Sequence, residues 1–245
     1  MSRLVFSLLI LFLYSPLAAC AAPVDTNDQL KSVASALRMT FPNIPLQQVH
    51  ETPVEGVYEI VTQKNEILYF APRSGHIFAG ELWNSQGKNL TRESQARMMT
   101  EKLALLPLDK AIKIGDGPNQ VVEVSDPDCP FCRDGSAFFS GREDVTRYIF
   151  LYPLERIHPQ AEAKARFILS SEDQEGAYED VFSGAYDKQP LPEFKDNGML
   201  DTHREIARSI GIHSTPQYWI NGKYISGTNL EKLEEMLDQG PAEKQ

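Results

Sequence analysis

The fold is decided by the stretch VVEVSDPDCPFC at residues 121–132, where an apolar run leads into two cysteines separated by two residues. This layout is typical of a strand that gives way to a helix. A cysteine at a helix N-terminus faces the positive end of the helix dipole and unpaired backbone N–H groups, which favour the thiolate. Only the thiolate attacks a disulfide, and a second thiol three residues on can resolve the mixed disulfide. The stretch therefore predicts a redox-active dithiol, with a metal site or an inert pair as alternatives.

The number and spacing of the cysteines help to decide whether the stretch is a metal site. Only two of the three cysteines, Cys129 and Cys132, lie in the body of the chain. A structural zinc site usually takes four ligands, from two cysteine pairs or from histidines at short spacing. The histidines His158, His203 and His213 are scattered along the sequence. Zinc is therefore disfavoured, and we expect no metal site.

The gross composition is that of an ordinary globular protein of one or two domains. The chain has 245 residues, of which 42% are hydrophobic and 24% charged. Its formal net charge of −10 argues against nucleic acid or anionic lipid as the main partner.

The N-terminal residues 1–21 are predicted to be an export signal. Arg3 supplies the positive end, an apolar core follows, and small residues form a cleavage region. Cys20 has two interpretations: it is the lipidated cysteine of a lipobox, or it is removed by cleavage after Ala19 or Ala21. In either case the mature protein is expected in an oxidising compartment, soluble or anchored through Cys20.

The first half predicts a small α+β domain over residues 24–90. Apolar residues at helical spacing indicate a helix at 28–39, and strand-like runs follow at 57–62, 66–70 and 76–83. Residues 91–107 contain a polar helical pattern capped by Thr91 and stopped by Pro107, which we interpret as a linker helix. A core of this size is marginal alone, so oligomerisation is expected.

The second half, residues 108–240, predicts an α/β domain with a mixed sheet. Strands are expected at 120–124 and 146–151, an acidic helical stretch at 160–184 and a helix at 202–210. A terminal hairpin at 217–226 and a helix at 229–237 complete the pattern. The long segment before residue 210 indicates a helical insertion.

These motifs together resemble the bacterial disulfide isomerases of the DsbC and DsbG type. The first half contributes LYF at 68–70 and SGHIFAGELW at 74–83. The second contributes CPFC at 129–132, GIHSTP at 211–216 and NGK at 221–223. The resemblance implies a C-terminal thioredoxin-like fold with a helical insertion, joined by the linker helix to an N-terminal dimerisation domain. The overall class is thus α/β, or α+β when both domains are counted.

The resemblance also implies a periplasmic homodimer with two active sites facing a shared cleft. Thr215 and Pro216 would carry a cis-proline beside the dithiol and bind extended substrate as an added strand. Two departures stand out. The insertion lacks the cysteines that form an extra disulfide in some relatives, and the Pro-Phe between Cys129 and Cys132 differs from the familiar Gly-Tyr and Pro-Tyr. This dipeptide helps to set the redox potential, so the strength as oxidant or isomerase stays open.

Roles for individual residues follow. Cys129 is expected to attack and Cys132 to resolve, forming a redox-active disulfide with no other cofactor. Glu123 lies six residues before the first cysteine and is either a buried proton relay or a surface charge at a strand edge. Asp128 is expected to cap the helix, while Asp126 is given no catalytic role.

The expected function is isomerisation or reduction of non-native disulfides in unfolded or misoxidised exported proteins, with electrons from a membrane reductase of the DsbD kind. A net oxidant, or a reductase of sulfenic acids or cytochrome precursors, is the alternative within redox chemistry. A holdase chaperone that binds unfolded chains in a dimer cleft is the alternative of another class.

Overall fold

The computed structural model describes residues 26–241, which contain two β-sheets joined by a helix. The predicted export signal and Cys20 lie outside these residues. Within the described range, no helix is both long enough and apolar enough to cross a bilayer.

The N-terminal part is a four-stranded antiparallel sheet in the order β1-β2-β3-β4, covered by one helix. Val33 and Leu37 lie on the inner face of the helix and pack with Ile60 and Phe70 of the sheet. The elements are α1 (Thr26–Thr40), β1 (Leu46–Glu51), β2 (Tyr58–Thr62), β3 (Ile67–Ala71) and β4 (His76–Ala79).

Two details of this sheet differ from the sequence expectation. Strand β1 was not expected, and it is an edge strand whose side chains are all at least partly exposed, so it lacks an apolar pattern. The run expected at 76–83 ends as a strand at Ala79, and Trp83 forms only an isolated bridge with Asn89.

The linker helix α2 (Leu90–Lys102) connects the two sheets. Its N-cap is Asn89, whose Oδ1 accepts from the Arg92 amide at 3.0 Å, so the expected cap at Thr91 is wrong. Thr91 is instead buried, and its hydroxyl accepts from the Leu82 amide at 2.7 Å. The α-helix stops before the expected end at residue 106, because its last residues continue as a 3₁₀ turn at 103–105.

The second sheet is mixed, as expected, with the order β5-β7-β6-β8-β9. Only β6 and β7 pair in parallel, and the other neighbours are antiparallel. Its elements are β5 (Ile112–Ile114), β6 (Asn119–Ser125), α3 (Pro130–Phe139), β7 (Val145–Leu151), α4 (Ala161–Ser170), α5 (Gln174–Phe182), α6 (Met199–Ser209), β8 (Gln217–Ile220), β9 (Lys223–Ser226) and α7 (Leu230–Asp238).

Strand β6 is central and covered on both faces, which explains its continuous apolar run. Val122 and Val124 pack with Trp219 on one face, whereas Val121 packs with Phe139 and other residues of α3 and α7 on the opposite face. The cysteine motif therefore follows the carboxyl end of a buried, central strand.

The helical insertion consists of α4 and α5, which replace the single stretch expected at 160–184. The break occurs at Ser171–Asp173, because the Asp173 carboxylate accepts from the Gly176 amide at 2.9 Å and starts a new helix. Strand β5 was not expected either; its three residues are too few to show a period.

The linker helix packs on the second sheet as well as joining the two parts. The buried indole of Trp219 donates to the Met99 carbonyl at 2.7 Å. At the end of the helix, Lys102 donates to the Ile210 carbonyl at 3.0 Å and to the Asn65 side chain in the β2–β3 turn.

Candidate active site

Cys129 occupies the N-cap position of α3, and Pro130 is the first helical residue. Pro130 suits this position because its missing N–H would be unpaired there in any case. Cys132 lies one turn into the helix, with its Sγ accepting from the Asp126 amide at 3.4 Å. Both are free thiols; Cys129 is 5% exposed and Cys132 1%. The dithiol thus lies at a strand-to-helix junction, as predicted.

The two thiols have opposite electrostatic environments. The hydrogen bond from Cys132 lowers the pKa of Cys129 to about 6, helped by backbone N–H groups at the helix start and by Thr215, against the opposing effect of burial. Burial raises the pKa of Cys132 well above its usual range. At neutral pH the first cysteine is therefore a thiolate and the second a thiol that stabilises it.

The loop before β8 faces the first cysteine. The Thr215–Pro216 peptide bond is cis, and the Cys129 thiol lies 3.8 Å from the Thr215 carbonyl oxygen. Pro216 is buried, and its own carbonyl accepts from the Gly227 amide at 2.9 Å. The structure thus brings together Thr215, Pro216 and the cysteine motif from opposite ends of the domain.

Glu123 lies inside the protein with 1% exposure, so the interpretation as a surface charge is wrong. One carboxylate oxygen, Oε1, accepts from the Arg147 guanidinium and from the Tyr178 hydroxyl, both at 3.0 Å. Its other oxygen has no hydrogen-bond partner among the residues described. Tyr218 lies opposite Glu123 on the neighbouring strand β8, and burial raises the pKa of its hydroxyl well above the usual range.

The two aspartates before the motif each take part in a hydrogen-bond network. Asp126 is fully buried, and its carboxylate accepts from the Asp128 amide at 2.8 Å and the Leu154 amide at 2.7 Å, with His158 Nδ1 also at 2.8 Å. The helix cap expected at Asp128 is wrong, because that carboxylate accepts from Arg133 at 3.0 Å and Lys164 at 2.6 Å instead. Asp126 thus shapes the loop, and Asp128 faces the helical insertion.

Sequence reasoning missed His158, Arg133 and Lys164. A signal for Lys164 does exist in the sequence: it falls on the same helical face as Ala161 and Ile168, both fully buried, where an apolar residue is the norm. His158 and Arg133 have no comparable signal.

A cleft of about 1050 Å³ lies beside the loop that carries Thr215. Its walls come from the N-terminal domain, the linker helix, residues 211–214 and strand β9, and include Glu66, Gln95, Met98 and His213. The described residues contain no group of three or more His, Cys, Asp or Glu side chains that could hold a metal ion.

Comparison with known proteins connects this geometry to a family. Residues 17–92 match the disulfide bond isomerase protein N-terminal domain. Residues 107–241, more than half of the chain, match the thioredoxin-like domain. The chain belongs to the DsbC and DsbG type of thiol:disulfide interchange proteins. It is accordingly a disulfide isomerase or oxidoreductase with a thioredoxin-like fold, as expected from its motifs.

The relatives are distant but span most of the chain. A probable thiol:disulfide interchange protein DsbC of Bordetella pertussis is 25% identical over 205 residues, which cover 82% of this chain and 71% of the relative. The DsbC of Escherichia coli K12 is 23% identical over 238 residues, covering 93% and 94%. A disulfide interchange protein of Neisseria gonorrhoeae has a solved structure with a TM-score of 0.48 and 32% identity, covering 56% of this chain and all of that one. The match to the DsbC-type N-terminal domain supports the expected homodimer.

Proposed function

We propose that this protein is a periplasmic thiol–disulfide oxidoreductase that isomerises or reduces non-native disulfides of exported proteins, with Cys129 attacking and Cys132 resolving. The observation that carries the proposal is the opposed pair of thiols: the pKa of Cys129 is lowered to about 6 while burial raises that of Cys132. An attacking thiol with a pKa near ambient pH combines a high thiolate fraction with good nucleophilicity.

The reaction begins when the Cys129 thiolate attacks one sulfur of a substrate disulfide. The substrate S–S bond breaks, its second sulfur leaves with the electron pair as a thiolate, and a mixed disulfide forms. In isomerisation, the substrate thiolate either attacks the mixed disulfide directly or first attacks another substrate disulfide and frees a new thiolate that does so; the substrate disulfide re-forms and Cys129 leaves as a thiolate, with no net transfer of electrons. In reduction, Cys132 loses its proton and attacks Cys129, which releases the reduced substrate and leaves a redox-active Cys129–Cys132 disulfide.

Thr215 and Pro216 are proposed to bind the substrate chain next to the attacked sulfur. The Thr215 carbonyl lies 3.8 Å from the Cys129 thiol, so an extended peptide paired with this backbone would place its cysteine within reach of Sγ. Phe131 adds an apolar surface between the two cysteines, since its ring is 61% exposed. Unfolded or misoxidised chains offer the apolar side chains that such a surface suits.

Glu123 is proposed to assist the proton transfer that Cys132 requires. Its second carboxylate oxygen is buried and, within residues 26–241, without a partner, so it can accept a hydrogen bond during the reaction. Tyr218, which pairs with Glu123 across β6 and β8 and whose buried hydroxyl has no partner among the described residues, is the candidate intermediary.

The redox-active disulfide is proposed to be the sole cofactor, and its recycling needs two electrons from outside. A membrane reductase of the DsbD kind is the proposed donor, and a homodimer that presents two dithiols is the proposed assembly. A periplasmic location suits both the family and the export signal predicted at residues 1–21.

The test is the recovery of native pairing in a scrambled, disulfide-bonded substrate by the full mature chain. We expect Cys129→Ser to reduce the rate to the uncatalysed background and Cys132→Ser to accumulate mixed disulfides with the substrate. An unchanged rate with Cys129→Ser would refute the mechanism. The redox state of the pair in cells separates the alternatives: a mainly reduced pair supports isomerase or reductase, and a mainly oxidised pair indicates a net oxidant.

A further inference from the structure

Four charged side chains connect the cysteine motif to the helical insertion. Lys164 of α4 donates to Asp128 and to Asp187, both at 2.6 Å. Arg133 donates to Asp128 at 3.0 Å, to Asp187 at 2.6 and 2.7 Å, and to the Pro127 carbonyl at 2.8 Å. Two cations thus balance two carboxylates, and Asp187 lies in the segment just after α5.

The location of this network relates it to the dithiol. Asp128 directly precedes Cys129, and Arg133 directly follows Cys132, so the network flanks the motif on both sides. Lys164 is only 3% exposed, and a lysine is rarely buried to this extent unless it is paired. Arg133, by contrast, is partly exposed. The buried member of the network therefore comes from the insertion.

An uncompensated carboxylate at Asp128 would oppose the reaction. Negative charge close to Cys129 disfavours its thiolate, which the helix start otherwise stabilises. Arg133 carries one positive charge and is shared between two carboxylates, the stronger contacts being with Asp187, whose pKa it holds well below the usual range. Lys164 supplies the second positive charge that makes the group neutral.

The other acidic side chains around this loop have hydrogen-bond partners of their own. Asp126, from the β6–α3 connection, contacts His158 from the segment before α4, and Glu123 of β6 is paired with Arg147 of β7. The Asp126 carboxylate accepts from the Asp128 backbone amide, but neither pair contacts the Asp128 carboxylate in the described structure. Compensation of Asp128 thus falls to Arg133 and Lys164.

We propose that Lys164 is a positioning residue of the redox reaction: it neutralises Asp128 and fixes the loop that carries Cys129, so that the helical insertion adjusts the reactivity of the dithiol. The inference rests on the proposed attacking role of Cys129. Its test reads the thiol directly and needs no substrate, so it can fail while the proposed function stands.

The experiment measures iodoacetamide alkylation of Cys129 against pH in the reduced full chain, with Cys132 retained and the labelled peptide followed by mass spectrometry. In Lys164→Met we expect the apparent pKa of Cys129 to rise by about half a unit, because one negative charge beside the thiolate is no longer balanced. The equilibrium with glutathione at pH 8 should shift about threefold towards the oxidised pair, or ~15 mV at 29.6 mV per tenfold.

Two further variants separate charge from structure. Lys164→Arg should keep the wild-type alkylation profile. Lys164→Met combined with Asp128→Asn should bring the apparent pKa of Cys129 most of the way back to the wild-type value, because the unbalanced carboxylate is gone. Lys113→Met is the matched control: it also breaks an ion pair, with Asp116, but at the sheet edge in β5. It should leave the profile unchanged.

A folded Lys164→Met protein with the wild-type profile would overturn the proposal, as would a double variant that shifts as far as the single one. If Lys164→Met does not fold, Asp128→Asn alone decides the matter. Removing the carboxylate should then lower the apparent pKa of Cys129, and an unchanged value would overturn the proposal.

Discussion

Gly135, one turn after Cys132 in α3, is the position near the site where an added methyl group should lower the free energy of unfolding most. A Cβ built there would overlap the Tyr218 hydroxyl and lie 3.1 Å from its Cζ. Tyr218 is fully buried on β8, which is paired on both sides by β6 and β9, so its ring cannot move away cheaply. Overpacking of this kind costs about 1–3 kcal/mol, and the overlap favours the upper end.

Helix propensity acts in the opposite direction, because Ala is preferred over Gly inside a helix by about 1 kcal/mol. For Gly135→Ala we therefore expect a net loss of about 2 kcal/mol in the free energy of unfolding. In a chain of this size that corresponds to a fall in Tm of about 4–8 °C. Thermal and urea unfolding of the reduced protein, followed by circular dichroism, measures both quantities.

The matched control removes the atom that Ala would meet. The Tyr218 hydroxyl is buried and has no hydrogen-bond partner in the described part of the chain, so Tyr218→Phe alone should change stability by less than about 1 kcal/mol. Gly135→Ala combined with Tyr218→Phe should recover most of the lost stability. A single variant as stable as the wild type, or a double variant no more stable than Gly135→Ala, would refute the steric argument.

Two further predictions concern buried charge and pH. Arg147→Met should cost about 3–5 kcal/mol at pH 7 because it leaves Glu123 as an unpaired buried carboxylate; Arg142→Met, whose ion pairs are partly exposed, should cost about 1 kcal/mol or less by urea denaturation. Equal losses in the two variants would contradict the burial argument. Since the pKa of Cys129 is lowered from 9.0 to about 6, its thiolate should stabilise the reduced fold fully above pH 9, and this contribution should be lost as pH falls through 6. The Tm of the reduced form relative to the oxidised form should therefore rise between pH 5 and pH 9, and a constant difference would contradict the assigned thiolate.

Sequence reasoning succeeded where one local pattern controls the structure. Helix α1 and the buried strand β6 follow from apolar periodicity, and the position of Cys129 follows from the strand-to-helix junction. It failed where short elements lack a period. Edge strand β1 is too exposed to alternate clearly, and β5 has three residues.

The wrong predictions at the site have a different cause: a polar side chain can bind a tertiary partner instead of the local backbone. Aspartate is a good helix cap in general, yet the Asp128 carboxylate binds Arg133 of the following helix and Lys164, which the tertiary fold brings to it. Likewise, the burial of Glu123 could be suspected from its strand, but its partner Arg147 comes from the neighbouring parallel strand β7. Pairings of this kind depend on the sheet order, which a local pattern does not contain.

The loops that meet at the dithiol are held by elements that a minimal thioredoxin-like sheet would not need. On one side the helical insertion holds the start of the motif through Lys164 and Asp128. On the other side the segment leading to Thr215 is held by Lys102, which donates to the Ile210 carbonyl and to Asn65 of the N-terminal sheet. Burial among neutral acceptors lowers the pKa of Lys102, so this contact has a cost that its hydrogen bonds must offset.

The next residue shows that the contact is close. Gly211 has a φ of +78°, and a Cβ there would overlap the Asn65 amide, so only glycine suits both the backbone and the approach of the N-terminal sheet. The N-terminal sheet therefore contacts the active-site domain within five residues of Thr215, whose carbonyl faces Cys129. Because one loop of the site contacts the N-terminal sheet and the other contacts the insertion, the relative position of the Cys129 thiol and the Thr215 carbonyl depends on both. The Cys129 thiol and the Thr215 carbonyl that it faces are thus each held by a different part of the chain.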